Sequence, residues 1–278
     1  MLGFMDMGGG MRDVYGAGVT DCFLDNGISF DYCIGVSAGC ANIATFLAGQ
    51  RGRNFRFYTD YALRKEYMSA ENFIKSGSFF NLDYVYSYLS NSSGEDPLDF
   101  DAMKNNKSEF IVVATDAESG NPVYFNKKYL TRDNYDVIKA SCAVPLMNKP
   151  YAVDGREYFD GGVSDPLPVD KVFADGCDKI VAVLTRPVDF VKKPEKFDLV
   201  LHRSLGEKYP EVYGKIHTRH EAYNRSLEKL RAYQKEGRAV IIAPDGSEGI
   251  SIASKDAKKL KKVYEQGYAD AEKALENI

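Results

Sequence analysis

The sequence predicts an α/β fold, with a largely parallel sheet covered by helices on both sides. Three observations carry this expectation. Apolar strand-like runs alternate with helical stretches along the whole chain. Some runs, such as "EFIVVATDA" at 109–117, are continuously apolar, as strands buried on both faces are. Glycine-rich turns follow the first two strands, at the strand ends where parallel α/β sheets build their sites.

In chain order, residues 2–7 read as a short strand. Residues 13–26 read as a helix stopped at Asn26-Gly27, because glycine readily takes the left-handed conformation just past a helix end. "FDYCIGV", 30–36, is the second strand, and 38–48 is a helix of small residues ending at Gly49. Residues 109–117 give the third strand, and 133–143 a helix that stops before Pro145. In "YAVDGREYFDGG" two strands flank Asp154-Gly155, a dipeptide suited to a tight hairpin turn. "KIVAVLT", 179–185, and "AVIIAP", 239–244, are two more buried strands, and 207–236 and 255–275 are helices charged on one face.

A chain of 278 residues can bury one substantial core. It shows no repeats, and its clearest loops, "NSSGEDP" at 91–97 and "LTRPVDFVKKPEKF" at 184–197, are too short to force a boundary. A single domain over 1–278 is expected, with residues from about 186 to 278 packed on it as a helical and strand extension. A net charge of −4 gives no electrostatic reason to expect nucleic acid as a partner. The five cysteines are odd in number and lie in apolar surroundings, which reads as reduced thiols in a cytoplasmic protein. The first positive side chain is Arg12, so no signal peptide is expected, and no apolar run is long enough to span a bilayer.

Ser37 lies in "GVSAG", 35–39, on the turn between the second strand and the following helix. Such a turn is tight, and Gly35 and Gly39 remove the Cβ atoms that would clash there. The serine would be held at the mouth of the sheet as a nucleophile elbow. The plainer reading is a glycine-rich turn whose serine caps the helix.

A second motif, "MGGGMRD" at 7–13, also joins a strand to a helix. Its three glycines can turn backbone N–H groups into one concavity, with positive partial charge from the helix N-terminus behind it. The dinucleotide fingerprint fails at Asp13, and no acidic ribose partner ends the next strand. An oxyanion hole built from the N–H groups of Gly9, Gly10 and Met11 is the better reading. Arg12 at its rim either clamps the loop, through a loop carbonyl or Asp13, or meets a substrate phosphate.

For a base, His202, His217 and His220 all fall in a charged helical stretch and in no motif. The other candidate is Asp160 in "FDGGVSDPLP", which ends a strand at the same sheet edge as the two loops. Residues 55–88 hold eleven aromatics, either an acyl pocket or lid, or core for packed helices. "SKDAKKLKKVY", 254–264, is either a solvated helix face or a contact for anionic headgroups.

The three motifs, in this order, resemble the patatin-like phospholipase family. Its pattern is a glycine-rich oxyanion loop followed by Arg or Lys, then G-x-S-x-G, then D-G-G or D-G-A. Here these are Gly8-Gly9-Gly10-Met11-Arg12, Gly35 to Gly39, and Asp160-Gly161-Gly162. The similarity runs from about residue 2 to 185, "ASCAVP" at 140–145 included, and "EKLRAYQKEGRAVIIAP" resembles the tail of bacterial members. Asp13 departs from the pattern, standing where the family usually has a small residue.

The resemblance implies a three-layer α/β/α sandwich with a mostly parallel central sheet. It also implies a Ser37–Asp160 dyad acting through an acyl-enzyme on lipid or other ester substrates, with no metal and no cofactor. Transient contact with a membrane surface belongs to the same expectation. A catalytically silent lipid- or acyl-binding protein of the same fold is the alternative.

Overall fold

The computed structural model describes residues 1–195, 198–246 and 248–278. Residues 196 and 197, the end of the second expected loop, lie outside the described residues, as does residue 247.

The strands are β1 (Leu2–Asp6), β2 (Tyr32–Val36), β3 (Glu109–Asp116), β4 (Pro122–Asn126), β5 (Tyr151–Val153), β6 (Arg156–Asp160), β7 (Lys179–Val183) and β8 (Ala239–Ile242). The helices are α1 (Val14–Asp25), α2 (Ala38–Leu47), α3 (Arg53–Thr59), α4 (Ala70–Ser76), α5 (Phe100–Asn105), α6 (Asp136–Ser141), α7 (Val169–Ala174), α8 (Asp198–Leu201), α9 (Pro210–Lys235) and α10 (Ala257–Ala274). Hydrogen-bonded neighbours run β5-β6-β3-β2-β1-β7-β8, with β4 also on β3. The pairs β3–β2, β2–β1, β1–β7 and β7–β8 are parallel, and the β4, β5 and β6 pairings are antiparallel.

Successive strand residues point to opposite faces. Phe4, Cys33, Phe110, Val112, Val181 and Val183 join a core with α1, α2 and α10. Their neighbours Met5, Ile34, Ile111, Val113, Ile180 and Ala182 join a second core with α7 and α9. Both faces are therefore apolar, and the expected three-layer α/β/α arrangement follows.

Two details differ from the sequence reading. The helix expected over 133–143 is only Asp136–Ser141, because Asp133 sits at φ 62° and Asn134 pairs back to Thr131. Strand β4 was not expected; its Val123 and Phe125 alternate with polar or half-buried residues too briefly to register as a strand. No helix among the described residues is long and apolar enough to cross a membrane.

Register explains how the hairpin strand β6 reaches the parallel sheet. β4 covers Ile111–Thr115 of β3, so β2 and β6 must share the opposite edge. β2 takes Glu109–Val113 and β6 takes Ala114–Asp116. β6 thus begins where β2 stops, and Asp160, opposite Ala114, falls beside the turn that follows Val36.

Candidate active site

Ser37 sits on the turn between β2 and α2 at φ 55° and ψ −130°. A non-glycine residue held there stores roughly 1–3 kcal/mol of backbone strain, and it persists only where the surroundings fix it. They do so here. The Ser37 N–H donates to Ser141 Oγ at 2.8 Å, and Ser141 in turn donates to the Val113 carbonyl at 2.6 Å. The Ser37 carbonyl accepts from the Cys40 N–H at 3.1 Å. The side chain of Ser37 makes no helix cap, which removes the plain capping reading. A Cβ on Gly35 would lie 2.4 Å from Cys40 Cα, and one on Gly39 would lie 2.4 Å from the Asp6 carbonyl oxygen. The turn closes this tightly only with glycine at both places.

Asp160 ends β6 and is buried. Its Oδ1 accepts the Gly162 N–H at 2.8 Å, and its own N–H donates to the Ala143 carbonyl. Gly161 packs directly on the Val113 carbonyl, so the Asp160-Gly161-Gly162 turn lies against the end of β2's partner strand. Ser37 and Asp160 line the same cavity. Burial raises the Asp160 pKa above the ordinary carboxylate value, while the Ser37 hydroxyl, the charge of Arg219 and the Gly162 N–H draw it back down.

Across from the serine runs the glycine loop, with Gly8, Gly9 and Gly10 at φ 65°, 140° and 59°. The Gly8 N–H donates to Asp6 Oδ1 at 3.0 Å, and its carbonyl accepts from Thr185 Oγ1 at 2.6 Å. The sequence places the Met11 N–H in the same concavity, but it donates to the Ile252 carbonyl at 3.1 Å. The Gly8 and Met11 N–H groups are thus occupied, and those of Gly9 and Gly10 find no acceptor among the described residues. Among the described residues the buried Arg12 Nε has no hydrogen-bond partner, and its guanidinium lies beside Gly9.

Asp13 is buried against Asp6 beneath this loop. Neither Asp13 oxygen meets an N–H donor, and Asn42 donates to both Asp6 Oδ2 and the Asp13 carbonyl. Burial and the neighbouring carboxylate push the Asp13 pKa well up, and burial raises Asp6 to about 6. Both carboxyls are thus held above the ordinary carboxylate range.

Two cavities meet at Ser37. One is apolar, lined by Ala41, Phe57, Tyr58, Tyr67, Phe80 and Tyr86 among others. The other, about 450 Å³, holds Ser37, Asp160 and the glycine loop together with Arg12, Arg186 and Arg219. Part of the aromatic segment 55–88 is therefore cavity wall, and part is core, since Phe57 and Tyr61 also pack on Val85 and Leu89. None of the three histidines lines either cavity. His202 packs on Tyr213, and His220 hydrogen-bonds the His217 carbonyl. In α10, Leu260 and Val263 are buried, while Lys261 pairs with Glu265 and Lys262 with Glu248 on the solvent side.

Sequence reasoning missed Ser141, Thr185, Ile252 and the pairing of Asp6 with Asp13. Ser141 lies within "ASCAVP", so its segment was noticed but not its role. Ile252 acts through a backbone carbonyl, which leaves no trace in residue type.

Residues 7–173 match the family model described as patatin-like phospholipase. Residues 209–278 match a domain of unknown function. The chain is 28% identical over 229 residues to the uncharacterized protein YjjU of Escherichia coli, covering 80% of this chain and 62% of YjjU. It therefore spans less than two thirds of that relative's length. A 74-residue stretch is 38% identical to the uncharacterized NTE family protein Rv1063c of Mycobacterium tuberculosis, 27% of this chain and 19% of that protein. The crystal structure of VipD from Legionella pneumophila shares the fold with a TM-score of 0.50 at 13% identity, over 99% of this chain and 66% of VipD. The glycine loop, the serine turn and the aspartate turn all lie within the matched residues, which make up more than half of the chain, and the chain belongs to the patatin-like phospholipase family.

Proposed function

We propose that this chain is a serine acyl hydrolase that cleaves carboxylic esters of lipids, with Ser37 as nucleophile and Asp160 as base. The observation that carries this reading is that strained Ser37 and buried Asp160 line one polar cavity, which meets an apolar cavity at Ser37.

Ser37 Oγ attacks the ester carbonyl while its proton passes to Asp160. The N–H groups of Gly9 and Gly10 receive the developing oxyanion, and one such donor is worth about 3 kcal/mol. The carbon–oxygen bond breaks, the leaving alkoxide takes the proton from Asp160, and the acyl group stays on Ser37. Water then attacks this acyl-enzyme, giving its proton to Asp160, which returns it to Ser37 Oγ as the acid departs. A carboxylate is a weak base for an alcohol, and the burial that raises Asp160 narrows that gap.

The acyl chain occupies the apolar cavity and the alcohol leaves through the polar one. The whole chain works as one hydrolase domain, since β8 and the Ile252 carbonyl complete the sheet and the loop. Ile74 on α4 is 84% exposed and Val191 63%, and these apolar side chains suit transient contact with a lipid surface. The buried, unpaired cysteines suit a cytoplasmic protein.

Turnover of a short p-nitrophenyl ester tests the reading. Ser37→Ala is expected to abolish it with the fold intact. Joint replacement of His202, His217 and His220 is expected to leave most of it. Equal turnover in Ser37→Ala would leave a silent lipid- or acyl-binding protein as the better account.

A further inference from the structure

The polar cavity is cationic to a degree that the proposed chemistry does not require. Among the described residues four cations line it, Arg12, Arg186, Lys192 and Arg219, against two carboxylates, Asp160 and Glu195. Glu195 is a loose counterion, 3.6 Å from Lys192 Nζ and 4.0 Å from Arg219 Nη1. Arg186 stacks over the Phe190 ring at 5.0 Å and makes no ion pair among the described residues. Three buried polar atoms on lining residues have no partner: Arg12 Nε, Arg219 Nε and Tyr223 Oη. Each unmet buried donor costs stability, and an anionic acceptor in the cavity would offset that cost. The cations also disfavour one another. Burial, then Arg186 and Arg219, lowers Arg12 to about 10; burial, then Arg219, lowers Lys192 to about 8.

This wall comes from separate parts of the chain. Arg12 belongs to the glycine loop, Arg186 and Lys192 to the segment after β7, and Arg219 and Tyr223 to one face of α9 at i, i+4 spacing. Apart from Arg12, these residues lie beyond the 7–173 match, and Arg219 and Tyr223 lie in the domain of unknown function.

We infer that the Arg12–Arg186–Lys192–Arg219 cavity is a phosphate subsite for the leaving alcohol, so that the enzyme selects acyl esters whose alcohol carries a phosphate with no balancing cation. The inference rests on the acyl hydrolase reading, because that reading puts the alcohol on this side of Ser37. Guanidinium groups suit phosphate oxygens through charge-assisted, often paired hydrogen bonds. A zwitterionic headgroup fits poorly, since its ammonium would face the same guanidiniums.

The test compares three soluble substrates of one acyl length: a monoacylglycerol, its glycerol 3-phosphate counterpart and the phosphocholine counterpart. The wild type is expected to favour the phosphate monoester by about tenfold or more in kcat/KM over both others. Arg186→Gln and Arg219→Gln are each expected to cut that preference at least about fivefold, and Lys192→Gln serves if either fails to fold. Inorganic phosphate is expected to compete with the phosphate monoester. Equal kcat/KM for the three substrates would overturn the inference. So would inorganic phosphate that stabilises the wild type but not Arg219→Gln, without any preference for the phosphorylated ester, since the cavity would then serve free phosphate. If no ester is hydrolysed, the hydrolase reading fails separately. Binding of the monoacylglycerol and its phosphate to Ser37→Ala, followed by thermal shift, then decides the subsite: tighter binding of the phosphate supports it, and equal binding contradicts it.

Discussion

Asp160 stands beside Ser37 because β6 takes over the edge of β3 at Ala114, one residue after β2 leaves it at Val113. The serine turn follows one strand and the carboxylate ends the other, so the two are brought together by backbone pairing. Helix α6 and the residues after it then fix both, through Ser141 Oγ on the Ser37 N–H and the Ala143 carbonyl on the Asp160 N–H.

In the proposed mechanism Asp160 must be ionised to take the serine proton, and burial raises its pKa. Activity is therefore expected to fall as pH drops through that raised value. The acid limb of kcat/KM should lie above the ordinary carboxylate value of 3.8. Asp160→Asn is expected to lose at least ~100-fold in kcat, the usual scale for removing a general base. A variant retaining a tenth of wild-type turnover would place the base elsewhere.

Asp6 and Asp13 are neighbouring buried carboxyls whose folded pKa values lie above the ordinary 3.8. Between the unfolded and folded values the folded chain binds more protons, so their contribution to stability is full below 3.8 and is lost as pH rises through about 6 and beyond. Asp13→Asn keeps the shape and a donor toward Asp6 but cannot lose a proton. Its melting temperature is expected to fall less than that of the wild type between pH 5 and pH 8. Parallel pH profiles in thermal denaturation would show that the pair does not titrate with folding.

Gly39→Ala places a Cβ 2.4 Å from the Asp6 carbonyl oxygen, a backbone atom that cannot swing away. The expected cost is roughly 1–3 kcal/mol, the scale of overpacking. Chemical denaturation measures it. Activity should fall further than stability alone explains, because Asp6 also holds the Gly8 N–H.

Ala41 lines the apolar cavity on α2. Ala41→Phe is expected to narrow it and to lower kcat/KM for an octanoyl ester by about tenfold or more relative to the acetyl ester. If both esters fell equally, the acyl chain would not enter this cavity.

Much of this was legible in the sequence because it rests on local rules. Continuous apolar strands, glycines at tight turns and a carboxylate at a strand end all leave marks in residue type, as in "GVSAG" and "FDGG". The rest depends on tertiary placement. Arg186, Lys192 and Arg219 stand in stretches that read as a loop and a solvated helix, and only the packing of α9 over the sheet brings them to one cavity. Met11 looked like a free donor until the Ile252 carbonyl, more than two hundred residues away, was found to occupy it.

The proposed hydrolase depends on Ser37 as an activated nucleophile with Asp160 as its base. Labelling of the native protein by a fluorophosphonate probe, with the modified peptide located by mass spectrometry, tests it most directly. The expected result is stoichiometric modification of Ser37 in the wild type, none in Ser37→Ala and much slower labelling in Asp160→Asn. An unlabelled wild type, or a label on any other residue, would contradict it.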